Sequence, residues 1–506
     1  MKTLLIRTSK HLLIAAVYAS LGVVVTALGF GIWFLNAKPD LNAWHTTVLE
    51  NRFTHKSKVT DFEGYLALEK ALKAELEHKI FKGADAATAQ VNRYVRGSLS
   101  DPRHWVRDWN WSFEWPNEEA KYGVLLIHGM SDSPYSMSSI ARDLRDNAHV
   151  LGLRLPGHGT LPSGLTTLDW RDLSASVTVA INHMKQRLGD RPLYIIGFST
   201  GAALALNHEL ERVAAGEASA SSGMVFLSPA IGLAPVAAGA RWQARLGEWL
   251  GLEKLAWNYV GIEYDPFKYV SFAVNAGDVV YQLAERNRLT LSQLSADAKA
   301  RLPSILSFQS VVDDTVSTRA VIEDLYLQLG NTRHKLVLFD VNRTPVNLRL
   351  MQTDPRATLE PSLRAAAAMA TITLVENEAQ QASVALLTLA TEASLDAPAR
   401  PLGLAWPENI YSLSHVALPF SKDDSLYGLG QIPNSNRIQI GAAASRGERG
   451  IFGVPADEML RQKWNPFYHF QQSEIEAWFE TPLSGKDALI KPAEPAGKSP
   501  QAVSAG

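Results

Sequence analysis

"YIIGFSTGAALAL", residues 194–206, carries an apolar run into Gly197-Phe198-Ser199-Thr200-Gly201 and then directly into an alanine- and leucine-rich stretch. A serine between a strand and a helix turns sharply only where its flanking positions lack bulk, because side chains there collide with the neighbouring strand and helix. Gly197 and Gly201 meet that need. Such a turn lifts Ser199 above the strand ends and leaves the Thr200 N–H, at the helix start, facing any oxyanion formed beside the serine. The pentad therefore predicts a nucleophile for acyl transfer, in an α/β fold.

Working outward, short runs rich in branched residues recur from Tyr122: "YGVLLIHG", "VLGLRLPGHG", "PLYIIGFSTG", "SGMVFLSPA", "PSILSFQSVVDD" and "HKLVLFDV". Most precede helix-like stretches such as 137–147 or 173–188. Continuous apolar strands alternating with amphipathic helices predict a mostly parallel central sheet with helices on both faces. In such sheets functional groups lie in loops at the carboxyl ends of the strands.

That rule sorts the candidates. "LLIHGM" ends a strand at a turn, so the N–H of Met130 is the second oxyanion donor, while His128 and His158 read as bracing residues of their turns. A serine at neutral pH needs a base oriented by a carboxylate. With the chain order serine, acid, histidine, His334, His415 and His469 follow the acid. His334 precedes its strand and lies at the wrong edge, and His469 precedes an aromatic stretch and is expected to pack. His415, entering a loop rich in Pro, Gly, Ser and Asp, is the expected base. For the acid, Asp313 leads, with Asp314 and then Asp340 behind it, and one of the Asp pair is expected to cap a helix before Thr318.

Forty-nine basic against fifty-one acidic residues leave a net charge of −2, which disfavours a nucleic-acid partner. The absence of cysteine removes disulfides, thiolate metal sites and cysteine nucleophiles. No cofactor or metal is expected. From Leu12 to Leu35 no residue is charged, and at about 1.5 Å per residue the run reaches roughly 36 Å against a hydrocarbon core of ~30 Å. This predicts a transmembrane anchor over 1–41; the rival reading is a cleavable signal peptide, whose apolar region is usually shorter and ends in small residues, unlike Leu35-Asn36-Ala37. Lys2, Arg7 and Lys10 before the run, against Lys38 and Arg52 after it, favour a cytoplasmic N-terminus and an exported body.

Residues 42–108 are expected as a helical lead-in, with a stripe of Leu66, Leu68, Leu72 and Leu76. In "WNWSFEW" the alternation of Trp109, Trp111, Phe113 and Trp115 predicts a half-buried strand. The body spans 109–484 and has two insertions. An aromatic, mostly helical cap occupies about 232–302, and a helix with two extra strands occupies about 343–407. The tail 485–506 is expected to be disordered.

Together "HGM", "LPGHG", "GFSTG", "VVDDTV" and "SLSHVALPF", spread over about 122–430, resemble the α/β-hydrolase superfamily. Within it the match is to the lipase and esterase branch, which includes monoacylglycerol lipases and serine aminopeptidase-like hydrolases. The resemblance implies Ser199 as nucleophile, Asp313 as acid, His415 as base, and the Met130 and Thr200 N–H groups as oxyanion hole. Compact relatives carry the histidine directly after the strand that follows the acid, here near 341–343, where this chain has none. The expected activity is a serine hydrolysis of carboxylic esters, with a small-molecule ester or lipid as substrate partner. A peptidase anchored through Glu248, Glu253, Glu263 or Asp265, and a catalytically silent binding protein, are the rival readings.

Overall fold

A computed structural model describes residues 2–81, 90–233, 252–330, 333–379, 381–389, 399–408, 410–430, 432–441, 443, 459 and 461–480. Twelve strands are found among them: β1 Phe113–Trp115, β2 Tyr122–Ile127, β3 Ala148–Leu153, β4 Leu193–Phe198, β5 Gly223–Leu227, β6 Trp257–Tyr259, β7 Phe272–Ala273, β8 Ser304–Ser310, β9 Lys335–Phe339, β10 Thr371–Asn377, β11 Ser383–Leu389 and β12 Arg400–Ala405. All but β6 and β7 form one sheet in the order β1-β3-β2-β4-β5-β8-β9-β10-β11-β12. From β3 across to β10 every pair is parallel. The edges β1, β11 and β12 pair antiparallel.

All six apolar runs singled out in the sequence form strands, because each is buried on both faces. Leu125, Ile127 and Ile195 point to one side, where they meet the helices Trp170–Leu188, Thr200–Ala214 and Val274–Gln293. Val124, Leu126, Ile196 and Phe198 point to the other, against the helices Ser138–Leu144 and Tyr468–Glu480. Side chains two residues apart thus feed the same core, as pleating requires. The chain leaves β2 for β3 on one side and then crosses to β4 on the other, which opens a crevice at the carboxyl ends of β2 and β4.

Several elements differ from their expectation. Of "WNWSFEW" only Phe113–Trp115 is strand; Asn110 and the Trp111 indole N–H donate to the Asp108 carboxylate, and these bonds hold the preceding residues in a loop. In the lead-in helix Phe62–Leu76 the buried face is Phe62, Tyr65, Glu69, Leu72 and Leu76, while Leu66 is exposed. After β9 come two helices, Pro345–Leu350 and Pro355–Ala367, and three strands rather than two. The unforeseen β12 contains Pro401 and Gly403, which only an edge strand tolerates readily.

Within 232–302, residues 234–251, including Glu248, lie outside the described residues, as does the tail 485–506. The helix Val274–Gln293 of that stretch lies on the flank of the sheet, packed in the same apolar cluster as the helix Thr200–Ala214. There Asn287 Nδ2 donates to the Ala203 carbonyl at 2.7 Å and Asn207 Nδ2 donates to Asn287 Oδ1 at 3.0 Å. At the N-terminus a helix spans Lys2–Ala37. Its Leu13–Gly31 portion is long and apolar enough to cross a membrane, and none of that window is buried against the rest of the protein.

Candidate active site

Ser199 sits between the end of β4 and the helix Thr200–Ala214 with φ 52° and ψ −112°, a left-handed φ that L-residues adopt only when the surroundings impose it. The surroundings are the two glycines. A Cβ on Gly197 would come within 2.4 Å of the Ala202 nitrogen, and one on Gly201 within 2.1 Å of the Ile127 carbonyl oxygen and 2.8 Å of that of His128. The helix therefore approaches both its own strand and β2 more closely than any side chain permits. The bend is secured by the Ser199 N–H donating to the Leu227 carbonyl at 2.9 Å and the Ala230 N–H donating to the Ser199 carbonyl at 3.1 Å.

Beside it, β2 ends in the turn Gly129–Asp132. His128 braces this turn. The Leu155 N–H donates to its Nε2 at 3.0 Å, which leaves Nδ1 to carry the proton and donate to the Gly129 carbonyl at 2.8 Å. Burial, with His158 alongside, holds the His128 imidazole neutral, well below its ordinary range. His158 donates from Nδ1 to the Pro156 carbonyl at 2.9 Å, and burial lowers its imidazole to about 4. A Cβ on Gly129 would lie 3.2 Å from the Phe198 ring, so this turn abuts the residue preceding Ser199. Among the described residues the backbone N–H groups of Met130 and Thr200 donate to no other protein group.

Two strands along the sheet from β4, Asp313 follows β8. Its side chain is wholly buried, and its Oδ2 lies 2.9 Å from His415 Nδ1. A carboxylate only accepts, so Nδ1 carries the proton and Nε2 is left as the basic nitrogen. Gln309 Nε2 donates to the same oxygen at 3.1 Å, and the Thr315 and Val316 N–H groups donate to Oδ1 at 2.9 and 3.0 Å. Burial pushes the Asp313 carboxyl upward, but the charge and hydrogen bond of His415 and these N–H groups outweigh it, and the carboxyl lies below its ordinary value. The His415 ring lies 5.2 Å from that of Phe198, centroid to centroid. Ser199 and His415 thus flank the same phenylalanine, and Ser199 Oγ has no hydrogen-bond partner among the described residues.

The other candidates stand apart. Asp314 is 79% exposed and pairs loosely with Arg461 at 3.7 Å. Asp340 is buried in an ion pair with Arg343, which also binds Asp354 at 2.8 Å. This cluster occupies the strand end where compact relatives carry their histidine. His334 accepts from the Ile305 N–H at 3.1 Å at the amino end of β9, and burial lowers it to about 3. His469, expected to pack, is exposed on the helix Tyr468–Glu480. Neither residue of the Asp pair caps the helix at Thr318; Ser317 does so by accepting from the Ala320 N–H.

Sequence reasoning missed the residues that hold the His415 loop. Asp424 accepts the Tyr135 hydroxyl at 2.8 Å and the Leu426 and Tyr427 N–H groups at 2.9 Å. Tyr427 donates to Asp265, Asp265 accepts from the Phe267 and Lys268 N–H groups, and Lys268 Nζ binds Asp132 at 2.6 Å. Segment 265–269 thereby ties the histidine loop to the turn carrying Met130. Only the density of turn-forming residues in "SKDDSLYG" hinted at a held loop. Glu263 is likewise engaged, accepting from the Val270 and Ser271 N–H groups at 3.1 and 2.8 Å, whereas Glu253 is exposed.

The model of the alpha/beta hydrolase family matches residues 124–376, half of the chain. A thermostable monoacylglycerol lipase from Bacillus sp. (strain H-257) is 33% identical over 90 residues; that stretch is 18% of this chain and 35% of the relative's length. Among solved structures, a monoacylglycerol lipase from Paleococcus ferrophilus shares 16% identity, with 50% of this chain and 98% of that one covered and a TM-score of 0.35. A soluble variant of monoglyceride lipase from Saccharomyces cerevisiae also shares 16% identity over 45% of this chain and 82% of that one, with a TM-score of 0.35.

Proposed function

The chain belongs to the alpha/beta hydrolase family, and on that premise we propose that it is a membrane-anchored serine hydrolase that cleaves carboxylic esters through a Ser199-His415-Asp313 triad. The observation that carries the proposal is the buried Asp313–His415 contact at 2.9 Å, beside a serine held in a strained bend. In this reading His415 Nε2 takes the hydroxyl proton as Ser199 Oγ attacks the ester carbonyl. The Met130 and Thr200 N–H groups receive the oxyanion, each contributing about 3–4 kcal/mol in comparable sites. His415 then returns the proton to the departing alcohol, and water repeats the sequence in reverse on the acyl-enzyme while Asp313 holds the ring and offsets its positive charge.

An acyl ester of lipid origin is the favoured substrate. Support comes from the apolar N-terminal helix and from the partial likeness to a monoacylglycerol lipase. Residues 1–41 would anchor the chain with its body on the exported side. A peptidase needs a free anchoring group for the peptide terminus; Glu263 and Asp265 are engaged by backbone N–H groups, which leaves exposed Glu253 as the candidate for that second reading among the described residues.

The test is labelling of the full chain with a fluorophosphonate, together with turnover of esters of increasing acyl length. Ser199→Ala is expected to abolish labelling, and His334→Ala to leave it unchanged. Labelling that survives the loss of Ser199 moves the nucleophile elsewhere, and a correctly folded chain that takes no label is a binding protein.

A further inference from the structure

The apolar helix ends at Ala37, and the next residue is already locked to the body. Lys38 Nζ donates to the carbonyls of Lys254 and Trp257 at 3.3 and 2.5 Å, and Lys254 Nζ returns a bond to the Lys38 carbonyl at 3.1 Å and another to Asp40 at 2.8 Å. A few residues on, the Asn42 N–H donates to His45 Nδ1 at 2.9 Å, so His45 Nε2 carries the proton and donates to Ser271 Oγ at 3.0 Å. The His45 ring stands edge-on to Trp257 at 5.0 Å. Strap 38–45 is therefore bound to both ends of segment 254–271.

The same segment reaches the site. The Tyr269 N–H donates to the Ser131 carbonyl at 2.8 Å and Lys268 binds Asp132, both in the turn that carries Met130. No slack separates the helix end from this chain of contacts; Val48, three residues after His45, and Ile262, next to Gly261 whose N–H donates to the same Ser271 hydroxyl that His45 bonds, expose large apolar side chains at 60% and 43%. A helix held this way passes its orientation to the domain, whereas a flexible linker would let the domain tumble.

We propose that the 38–45 strap turns the Met130 face of the domain onto the phospholipid bilayer, so that the site takes its acyl ester from the membrane itself. The inference rests on the anchored-hydrolase reading above and adds an orientation and a source of substrate. In this geometry Ile262 sits at the headgroup level, and Asp190, exposed just before the amino end of β4, points away from the lipid.

The natural absence of cysteine allows a direct test. Full chains carrying Ile262→Cys or Asp190→Cys are labelled with an environment-sensitive fluorophore and reconstituted in phosphatidylcholine–phosphatidylglycerol vesicles containing lipid-borne quencher. Quenching several-fold stronger at 262 than at 190 is expected. Inserting ten Gly/Ser residues between Ala37 and Lys38 leaves every strap contact in place but adds roughly 17 Å of flexible reach, and should abolish the difference. The same insertion should lower turnover of a long-chain monoacylglycerol in those vesicles at least fivefold, with a short water-soluble ester hydrolysed within twofold of the unmodified chain. Equal quenching at both sites overturns the orientation, as does vesicle turnover that survives the insertion. Quenching as expected from a chain that hydrolyses no ester leaves the orientation standing and overturns the hydrolase reading instead.

Discussion

Asp313 is the residue whose role separates geometry from mere proximity. With its carboxylate in place the His415 proton is held on Nδ1; an amide at that position can instead donate to Nδ1 and trap the tautomer that cannot accept a proton from Ser199. If the proposed triad operates, Asp313→Asn is expected to lower kcat on a short ester on the order of 10⁴-fold with the fold intact by circular dichroism, and a loss below tenfold would remove Asp313 from the proposed triad. The bend at Ser199 was legible because its constraint is local: two glycines four residues apart between strand and helix. The Asp313–His415 contact was legible only through elimination and the loop-rich setting after "SLSH". His415 lies 102 positions from Asp313, beyond an insertion that no spacing rule describes, and no pattern within "SLSH" distinguishes a base from a packed ring.

Single elements were read well where burial was uniform and poorly where one side chain decided the backbone. The strand β4 announces itself by continuous apolar residues, but the loop before β1 depends on the Asp108 carboxylate, whose hydrogen bonds compete with strand pairing. Within β1, Glu114 binds His149 of β3 at 2.6 Å and His183 of the helix Trp170–Leu188 at 3.1 Å, so it joins the edge strand to its neighbour and to a covering helix. Burial raises its carboxyl, but the hydrogen bonds and charges of the two histidines bring it down to about 2. A lowered folded-state value means stabilisation that is full above the unfolded carboxyl range, near pH 4.5, and is lost as the pH falls toward 2. Glu114→Gln should accordingly reduce the unfolding midpoint at pH 7, and the gap to the unmodified protein should close as melts are taken to pH 3 and below. A gap that is constant with pH would mean the carboxylate is not ionised by these partners.

For the molecule as a whole, the lead-in is part of the core. Phe53, Phe62 and Tyr65 join the apolar cluster on one face of the sheet, and Glu69 forms a buried ion pair with Arg154 at 2.7 Å, just after β3. Glu69 also accepts from Ser112 at 2.9 Å. Removing one partner of such a pair strands the other charge in the interior, so Glu69→Ala should cost about 3–5 kcal/mol, read from the denaturant midpoint. A cost under about 1 kcal/mol would show that the carbonyls of Leu155 and His158, which Arg154 already contacts, suffice for it.

By itself the sequence determined what depends on neighbours along the chain. The parallel sheet follows from recurring apolar runs, the serine bend from glycine spacing, and the apolar N-terminal helix from a run without charge. Only the tertiary structure decided what depends on distant segments meeting: which histidine reaches Asp313, which carboxylates are consumed by backbone N–H groups, how the loop of His415 is held through Asp424 and Tyr427, and where the strap after Ala37 attaches. Local periodicity records which face of an element is buried. It carries no information about which of many polar groups, tens to hundreds of residues apart, share one buried space, because that is settled by packing and by the need of each buried polar group for a partner.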